Sequence, residues 1–359
     1  MVEVGEIMFY KNVIYRGDLQ YVLDCIQLEQ LRGCNILVAG ATGLIGSFLV
    51  DVLMLSNELL HYNINVFAMS RKKESLEKRF RSHLKSPFFH PIQHDVKCAL
   101  TCHYRFDYII NAVSNAYPLA FSTDPVGTIM GNILGVYNLL EYARQKGIKR
   151  FLFISSGEVY GQGNENVSAF DESYSGYVDN TNPRSCYPNA KRAAETLCVA
   201  YTKQYGIDTV IARPCHIYGP TATKNDNRAS AQFINNVLSG NDIIMKSQGL
   251  QLRSYCYVAD CVSGILTILL KGETGQAYNI ANANSNVTIR EMAEIIASIS
   301  GKKVVFEVPG EIEKAGYNPV TRSILNSSKL EKLGWKANYD MKTGLQRTIQ
   351  ILEKVQITK

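Results

Sequence analysis

Residues 40–46 read Gly40-Ala41-Thr42-Gly43-Leu44-Ile45-Gly46, and this G-x-x-G-x-x-G run decides the fold. It follows a short apolar run at residues 35–39 and opens a segment with helical spacing at residues 43–56. Glycines let the backbone turn tightly and approach a diphosphate, and a helix start offers free N–H groups. The run therefore predicts a strand, a phosphate-binding loop and a helix, the first unit of a dinucleotide-binding fold.

Segments of strand and helix character alternate as far as about residue 215. Strands are expected next at residues 65–70, 108–111, 150–155 and 209–213, and helices at residues 125–144 and 188–204. Such alternation predicts parallel strands joined by right-handed helical crossovers. We therefore predict an α/β fold: a doubly wound (Rossmann) parallel sheet with a smaller C-terminal α/β substrate lobe.

The chain of 359 residues is long enough for more than one domain. Residues 1–33 form an N-terminal extension, for which packing or subunit contact is expected. Residues 34–215 are predicted as the dinucleotide-binding domain. Residues 216–359 are predicted mainly as the substrate-binding lobe, with some segments returning to the first domain. Helices are expected in that lobe near residues 229–239, 260–270, 288–299 and 341–353.

The second strand ends in Ser70 and Arg71, where many dinucleotide-binding proteins place an acidic residue that binds the adenosine ribose. Ser70 and Arg71 suit a 2′-phosphate instead, which favours NADP over NAD, although Arg71 is also compatible with a solvated loop charge. Asp95, with Val96 beside it, follows the expected third strand, where a carboxylate can contact adenine.

Tyr187 and Lys191 are four residues apart at the start of a predicted helix, so both side chains lie on one face. Pro188 is tolerated only in a first turn, so the helix is expected to begin about there. A free tyrosine is a poor base at neutral pH, but a nearby ammonium and a cationic nicotinamide favour its phenolate. Ser156 ends the fifth strand and can hydrogen-bond the same substrate hydroxyl. The three residues predict proton removal from a hydroxyl while hydride leaves for the cofactor.

With these motifs, residues 34–350 resemble the extended short-chain dehydrogenase/reductases that act on nucleotide sugars: epimerases, dehydratases and decarboxylases. They are most similar to UDP-glucuronate decarboxylases and next to dTDP-glucose 4,6-dehydratases. Further segments that resemble the family lie at residues 111–114, 183–195, 212–220, 253–260 and 333–335. The resemblance implies a nicotinamide cofactor, which in the most similar groups is NAD, bound by Gly40, Thr42, Gly43, Leu44, Ile45, Gly46, Ser70, Arg71, Asp95, Val96, Ala112, Ser114, Asn132, Tyr187, Lys191 and Pro214.

The resemblance also implies roles for residues toward the sugar. Ser156 holds the hydroxyl at carbon 4, Tyr187 is the base, and Lys191 assists it. Glu158 matches a glutamate of decarboxylases and dehydratases and would be a fourth catalytic residue, or a structural acid. Substrate-binding residues are expected to be Ser114, Glu158, His216, Arg228, Arg253 and Arg322, of which the arginines suit a diphosphate or carboxylate.

Two residues depart from the pattern of the family. Gly157 stands where the dehydratases carry an acidic proton donor and decarboxylases usually a serine, so it puts both assignments in doubt. His216 stands where many members have a substrate-binding asparagine. After oxidation of carbon 4 to a ketone, either carbon dioxide loss from carbon 6 or elimination of a carbon 6 hydroxyl becomes possible.

Composition narrows the class of protein. The formal charge of +6 is mild and spread along the chain, which argues against nucleic-acid binding. Nine cysteines lack metal-ligand spacing, so we expect reduced thiols and no metal. The sequence shows no signal peptide and no apolar run of spanning length, so a cytoplasmic protein without a membrane segment is expected.

Three functions stay open at this point. The first is a nucleotide-sugar decarboxylase or dehydratase with bound NAD(P). The second is a 4-epimerase or an NADPH-dependent 4-reductase, and Glu158 argues against the epimerase. The third is a catalytically inactive cofactor-binding sensor or scaffold. By resemblance, the helices at residues 125–144 and 188–204 are expected to pair two subunits into a homodimer.

Overall fold

The protein is described by a computed structural model that covers residues 9–164, 166–223, 226–307 and 320–357. The strands are β1 (Asn35–Ala39), β2 (Asn65–Ser70), β3 (Phe89–Gln93), β4 (Tyr108–Asn111), β5 (Arg150–Ile154), β6 (Thr209–Pro214), β7 (His216–Tyr218), β8 (Ile243–Met245), β9 (Leu252–Tyr257), β10 (Ala277–Ile280), β11 (Asn286–Thr288), β12 (Val304–Phe306) and β13 (Arg322–Ser323). The helices are α1 (Val13–Cys25), α2 (Leu44–Leu60), α3 (Lys73–Arg79), α4 (Pro118–Thr123), α5 (Pro125–Lys146), α6 (Cys186–Tyr205), α7 (Ala229–Leu238), α8 (Val258–Lys271), α9 (Ile289–Ser300), α10 (Ser328–Glu331) and α11 (Met341–Ile357).

Seven strands form one parallel sheet in the order β10-β6-β5-β4-β1-β2-β3. The predicted doubly wound α/β fold is confirmed. Ala39 at the end of β1 pairs with Met69 on one side and Asn111 on the other, so the carboxyl ends of three central strands lie at the same edge. In open parallel sheets ligands bind at this edge, outside the strand ends.

The large sheet takes one strand from the second half of the chain. β10 runs parallel to β6, and α8 packs against α1, α2 and β6. The rest of the second half forms two small sheets: β9 with its partners β7, β11 and β13, and β8 with β12. The division into a domain of residues 34–215 and a lobe of residues 216–359 stays a prediction, but a strand of the later segment clearly completes the large sheet.

The N-terminal extension packs onto this body through α1, whereas residues 1–8 lie outside the described residues. Tyr15 and Asp18 of α1 are fully buried. The Tyr15 hydroxyl donates to Asp51 Oδ2 of α2 at 2.7 Å, and Asp18 accepts from the Tyr257 hydroxyl and from Arg347 Nε, both at 2.6 Å. Since a buried charge is stable only when it is paired and hydrogen-bonded, these contacts fix α1 in place.

Candidate active site

A cavity opens at the carboxyl ends of β1, β4, β5 and β6 and is closed on the other side by segments of the second half of the chain. Its lining includes the predicted site residues Gly43, Leu44, Ile45, Gly46, Ala112, Ser114, Ser156, Glu158, Tyr187, Lys191, Pro214, His216 and Arg228. Other predicted site residues lie outside this lining, namely Gly40, Thr42, Ser70, Arg71, Asp95, Val96, Asn132, Arg253 and Arg322. Residues from six separate stretches of sequence thus meet at one place.

The glycine loop has the geometry that a dinucleotide diphosphate requires. Gly40 has a φ of +80°, and a Cβ there would lie 2.7 Å from the carbonyl oxygen of Ala112. A Cβ on Gly46 would collide with the carbonyl oxygen of Gly40. Gly43 precedes α2 without a side-chain cap, so the first N–H groups of that helix are available to a ligand. The loop therefore fits the expected cofactor.

Residues expected at the adenosine end lie beyond the glycine loop. Ser70 Oγ is 3.3 Å from Thr42 Oγ1, which places the end of β2 against the loop. Arg71 is exposed, and Asp95 Oδ1 accepts from the backbone N–H of Lys97 at 3.0 Å. These positions leave Ser70 and Arg71 accessible beside the loop, whereas Asp95 stabilises its own turn.

Tyr187 lies in the first turn of α6, with its ring stacked on Phe121 at 4.7 Å between ring centres. The helix begins at Cys186, two residues earlier than the predicted start at Pro188, because proline fits anywhere in a first turn. Burial raises the pKa of Tyr187 to about 12, while hydrogen bonding with Ser156 and Ser114 acts in the opposite direction. The predicted hydroxyl partner Ser156 is thus at the phenol, and Ser114 joins it.

Lys191 is buried one turn along α6, on the same face as Tyr187. Its Nζ donates to the carbonyl oxygen of Ile154 at 2.8 Å and lies 4.6 Å from the centre of the Phe153 ring. Burial lowers the pKa of Lys191 to about 7. Any negative charge that develops on the Tyr187 phenol or nearby stabilises the charged ammonium form of Lys191.

Asn132, predicted to bind the cofactor, does not line the cavity but contacts Ser114, which does. Its Nδ2 donates to the carbonyl oxygen of Thr128 at 2.8 Å, and its Oδ1 accepts from Ser114 Oγ at 3.2 Å. Asn132 therefore orients Ser114, which itself faces the cavity and the Tyr187 phenol.

Glu158 does not project into the cavity as an unpaired carboxylate. Arg184 grips it with two hydrogen bonds, from Nη1 to Oε2 at 3.0 Å and from Nη2 to Oε1 at 3.1 Å. Arg184 was not among the predicted site residues. The signal available in the sequence was its place three residues before Tyr187, at the entry to α6. Glu158 is therefore half of an ion pair at the cavity wall.

Gly157 leaves a gap in the wall that Leu325 fills. A Cβ on Gly157 would lie 3.1 Å from Leu325 Cδ2 and 3.3 Å from its Cδ1. Leu325 also lines the cavity, although it was not among the predicted site residues. An apolar side chain therefore stands beside Gly157 in the cavity wall.

The three predicted anion-binding arginines are held differently, and only Arg228 lines the cavity. Arg228 pairs with Asp226 at 2.6 Å. Arg253 is only 4% exposed, donates to two backbone carbonyls, and has its pKa lowered by burial. Arg322 donates to the carbonyl oxygen of Ser168 at 2.7 Å in a neighbouring cavity. The structure thus does not bring Arg253 and Arg322 to the cavity wall, because backbone carbonyls hold their guanidiniums elsewhere.

His216 lines the cavity with a neutral ring. Burial and the charges of Arg253 and Arg228 lower the pKa of His216 to about 3. Its Nδ1 is buried without a hydrogen-bond partner among the described residues. A neutral imidazole with an unused nitrogen is a fitting contact for a polar group of a substrate.

The described residues contain neither a metal-ligand cluster nor a membrane-spanning helix. Within residues 9–164, 166–223, 226–307 and 320–357, no group of three or more His, Cys, Asp or Glu side chains is placed to hold a metal ion. Over the same ranges, no helix combines the length and the apolar character needed to cross a membrane.

Comparison with known proteins shows the family of the chain. UDP-glucuronic acid decarboxylase 6 of Arabidopsis thaliana is 36% identical over 313 residues, 87% of this chain and 86% of the relative. UDP-glucuronic acid decarboxylase 1 of Danio rerio is 31% identical over 320 residues, 89% of this chain and 73% of the relative.

Solved structures share the fold at lower identity. A dTDP-glucose 4,6-dehydratase of Streptomyces venezuelae, solved with NAD, has a TM-score of 0.76 at 23% identity and covers 89% of this chain and 97% of its own. A UDP-glucose 4-epimerase of Thermotoga maritima, solved with UDP-glucose, has a TM-score of 0.74 at 24% identity, with 89% and 99% covered. The profile of the family described as NAD dependent epimerase/dehydratase matches residues 36–281. The chain belongs to the NAD dependent epimerase/dehydratase family.

Proposed function

We propose that the protein is a nucleotide-sugar decarboxylase that oxidises carbon 4 of UDP-glucuronic acid and then releases carbon dioxide. The observation that carries the proposal is the meeting of Tyr187, Ser156 and Lys191 in one cavity with the glycine loop. The choice of substrate rests on the relatives of 30–36% identity, which are named as UDP-glucuronic acid decarboxylases.

The first step is removal of a proton from the hydroxyl at carbon 4. Ser156 hydrogen-bonds that hydroxyl, and Tyr187 accepts its proton at the phenolic oxygen. Lys191 stabilises the phenolate from beneath, and a bound nicotinamide supplies the hydride acceptor. Tyr187 needs this help because its pKa in the protein without cofactor is raised to about 12, chiefly by burial.

The cavity wall favours decarboxylation over dehydration after the ketone has formed. Loss of carbon dioxide next to a ketone draws its electrons into the carbonyl group and needs no acid at carbon 6. Elimination of a hydroxyl from carbon 6 needs a base at carbon 5 and a proton donor for the leaving group. Gly157 offers no donor, Leu325 fills its place, and Arg184 holds Glu158. Dehydration is the second candidate, because Glu158 still lines the cavity.

Cofactor choice is part of the proposal. The family is described as NAD dependent, and related structures were solved with NAD. Ser70 and Arg71, at the end of β2 beside the loop, add a hydroxyl and an accessible guanidinium where a 2′-phosphate would lie. We infer that the site accepts NADP as well as NAD.

A homodimer is the proposed assembly, formed by α5 and α6 against the same helices of a second copy. Their outer faces expose apolar side chains, with Val126 70% exposed, Met130 41%, Tyr137 45% and Val199 43%. Val126, Met130 and Tyr137 are spaced along one face of α5. A second copy would cover this apolar stripe.

The cytoplasm is the proposed location, because nine unpaired cysteines suit a reducing compartment.

Mass spectrometry of products tests the activity. Purified protein with NAD or NADP is incubated with UDP-glucuronic acid, UDP-glucose, UDP-galactose and dTDP-glucose. Loss of carbon dioxide from UDP-glucuronic acid supports the proposal, whereas loss of water from a neutral hexose identifies a dehydratase. A product that is an isomer of the substrate, with unchanged mass, identifies an epimerase. Steady consumption of NADPH identifies a reductase. Cofactor binding without any product would overturn the enzymatic function in favour of a sensor or scaffold.

A further inference from the structure

Arg184 binds the only acidic side chain of the cavity wall within the described residues. Its side chain is 20% exposed, and that of Glu158 is 24% exposed. The two parallel hydrogen bonds between them, at 3.0 and 3.1 Å, are the arrangement in which a guanidinium fixes a carboxylate most firmly. Arg184 itself does not line the cavity, so it acts from behind the wall.

The same guanidinium also packs on the ring that supports Tyr187. Arg184 Cζ lies 4.6 Å from the centre of the Phe121 ring. Phe121, in turn, stacks on the Tyr187 ring with 4.7 Å between centres and 22° between planes. Arg184, Phe121 and Tyr187 therefore form one stack, and Glu158 is attached to its outer member.

Charge links the members of this stack. The carboxylate of Glu158 raises the pKa of Tyr187, whereas the guanidinium of Arg228 lowers it. Among the described residues, Lys191, Arg184 and Cys186 also lie near Tyr187, and His216 lines the same cavity. Without a counter-charge, Glu158 would oppose the phenolate, because like charges at short range disfavour each other. Arg184 supplies that counter-charge.

We propose that Arg184 is a positioning residue for Tyr187: it neutralises and holds Glu158, which favours the phenolate form of Tyr187, and through Phe121 it holds the ring where the phenolate can accept the proton of a substrate hydroxyl. The inference rests on the proposed function, in which Tyr187 accepts the proton of a sugar hydroxyl. It also assigns Glu158 to the electrostatic environment of Tyr187 rather than to proton transfer at carbon 5.

A set of variants separates this role from simple structural support. Arg184→Met removes the charge but keeps an apolar side chain against Phe121. Arg184→Lys keeps the charge and loses the two-pronged geometry. Arg184→Met with Glu158→Gln removes both charges. The matched control is Arg192→Met in α6, because the Arg192 guanidinium donates to the backbone carbonyls of Val159 and Gly176 and, among the described residues, makes no hydrogen bond to Glu158.

The readout is the ionisation of Tyr187 in the NAD-bound protein, followed by NMR of 13Cζ-labelled tyrosine. The Tyr187 signal is the one that Tyr187→Phe removes. Arg184→Met is expected to raise the pH midpoint of this signal by about one unit. Arg184→Lys should raise it less, the double variant should return it close to the parent, and Arg192→Met should leave it unchanged. Where turnover occurs, the acid limb of kcat/KM should move in the same direction.

Two results would overturn the role of Arg184. One is an unchanged midpoint in Arg184→Met. The other is a raised midpoint that Glu158→Gln does not reverse, which would mean that the effect comes from misfolding around α6. If Arg184→Met fails to fold, Arg184→Lys with and without Glu158→Gln decides by the same comparison. Because the NMR signal needs no substrate, absence of turnover in the parent would refute the proposed function and still leave this test complete.

Discussion

Leu325 packs directly against Gly157 in the cavity wall, since a Cβ on the glycine would lie 3.1 Å from Leu325 Cδ2. The two residues are far apart in sequence and meet because β13 and the segment after it pack beside the end of β5. The result is an apolar wall beside Ser156 and Glu158. The proposed preference for decarboxylation, over a dehydration that needs a proton donor, depends on this wall.

Substituting Gly157 tests this contact through stability. Gly157→Ser should lower the free energy of unfolding by about 1–3 kcal/mol, because the new side chain overpacks against Leu325. Leu325→Ala alone should cost about 2–4 kcal/mol through the cavity it leaves. The double variant should lose clearly less than the two losses added together, as measured by urea unfolding. Strictly additive losses would show that the two positions do not compete for space.

Arg71→Ala tests the proposed 2′-phosphate contact. Loss of a charge-assisted hydrogen bond should weaken NADP binding about tenfold or more, while NAD binding should change by less than about twofold. Calorimetric titration of both cofactors measures the difference. Lys72→Ala is the matched control, because Lys72 is the neighbouring exposed cation. Equal weakening of NAD and NADP by Arg71→Ala would refute the contact.

Lys191 should give the stability of the protein a characteristic pH dependence. Burial lowers the pKa of Lys191 to about 7, so above that pH the folded chain holds one proton fewer than the unfolded chain until the ordinary lysine pKa is reached. Its contribution to the free energy of unfolding should therefore increase as pH rises from 7, by up to about 1.4 kcal/mol per pH unit.

Lys191→Met should remove this slope. Urea unfolding of parent and variant between pH 7 and 9 gives the comparison, with other groups cancelling in the difference. The free energy of unfolding of the parent, minus that of the variant, should therefore increase as pH rises from 7 to 9. If this difference did not change with pH, burial would not lower the pKa of Lys191, and the account of this residue would be wrong.

Met130→Lys tests the proposed dimer. A charge in the middle of the apolar stripe of α5 should weaken self-association about tenfold or more, since it must be desolvated in the interface. Sedimentation equilibrium or light scattering after gel filtration reports the change. Val13→Lys is the control, because Val13 is 82% exposed on α1, away from the stripe. A parent that is monomeric at micromolar concentration, or an unaffected dimer in Met130→Lys, would contradict this interface.

The parts of the site that the sequence predicts well are local. The glycine loop and the Tyr187–Lys191 spacing depend on a strand end and on one helical turn, and both are in the structure as expected. The parallel sheet with helical crossovers follows from the same alternation of strands and helices.

The missed features depend on packing between distant segments. Arg184 and Glu158 are 26 residues apart, and each alone is an ordinary polar residue. Leu325 meets Gly157 only through the placement of the second half of the chain. Arg322 was expected at the cavity, but which carbonyl a long side chain reaches is set by the fold around it and not by its own sequence position.

The central claim is that Tyr187 removes the proton that starts the reaction, and release of carbon dioxide from UDP-glucuronic acid by Tyr187→Phe tests it most directly. The parent protein with bound NAD should release carbon dioxide. The variant should do so at least about a hundredfold more slowly, while its affinity for NAD stays the same, because only the proton acceptor is lost. Release at the parental rate by Tyr187→Phe would contradict the account.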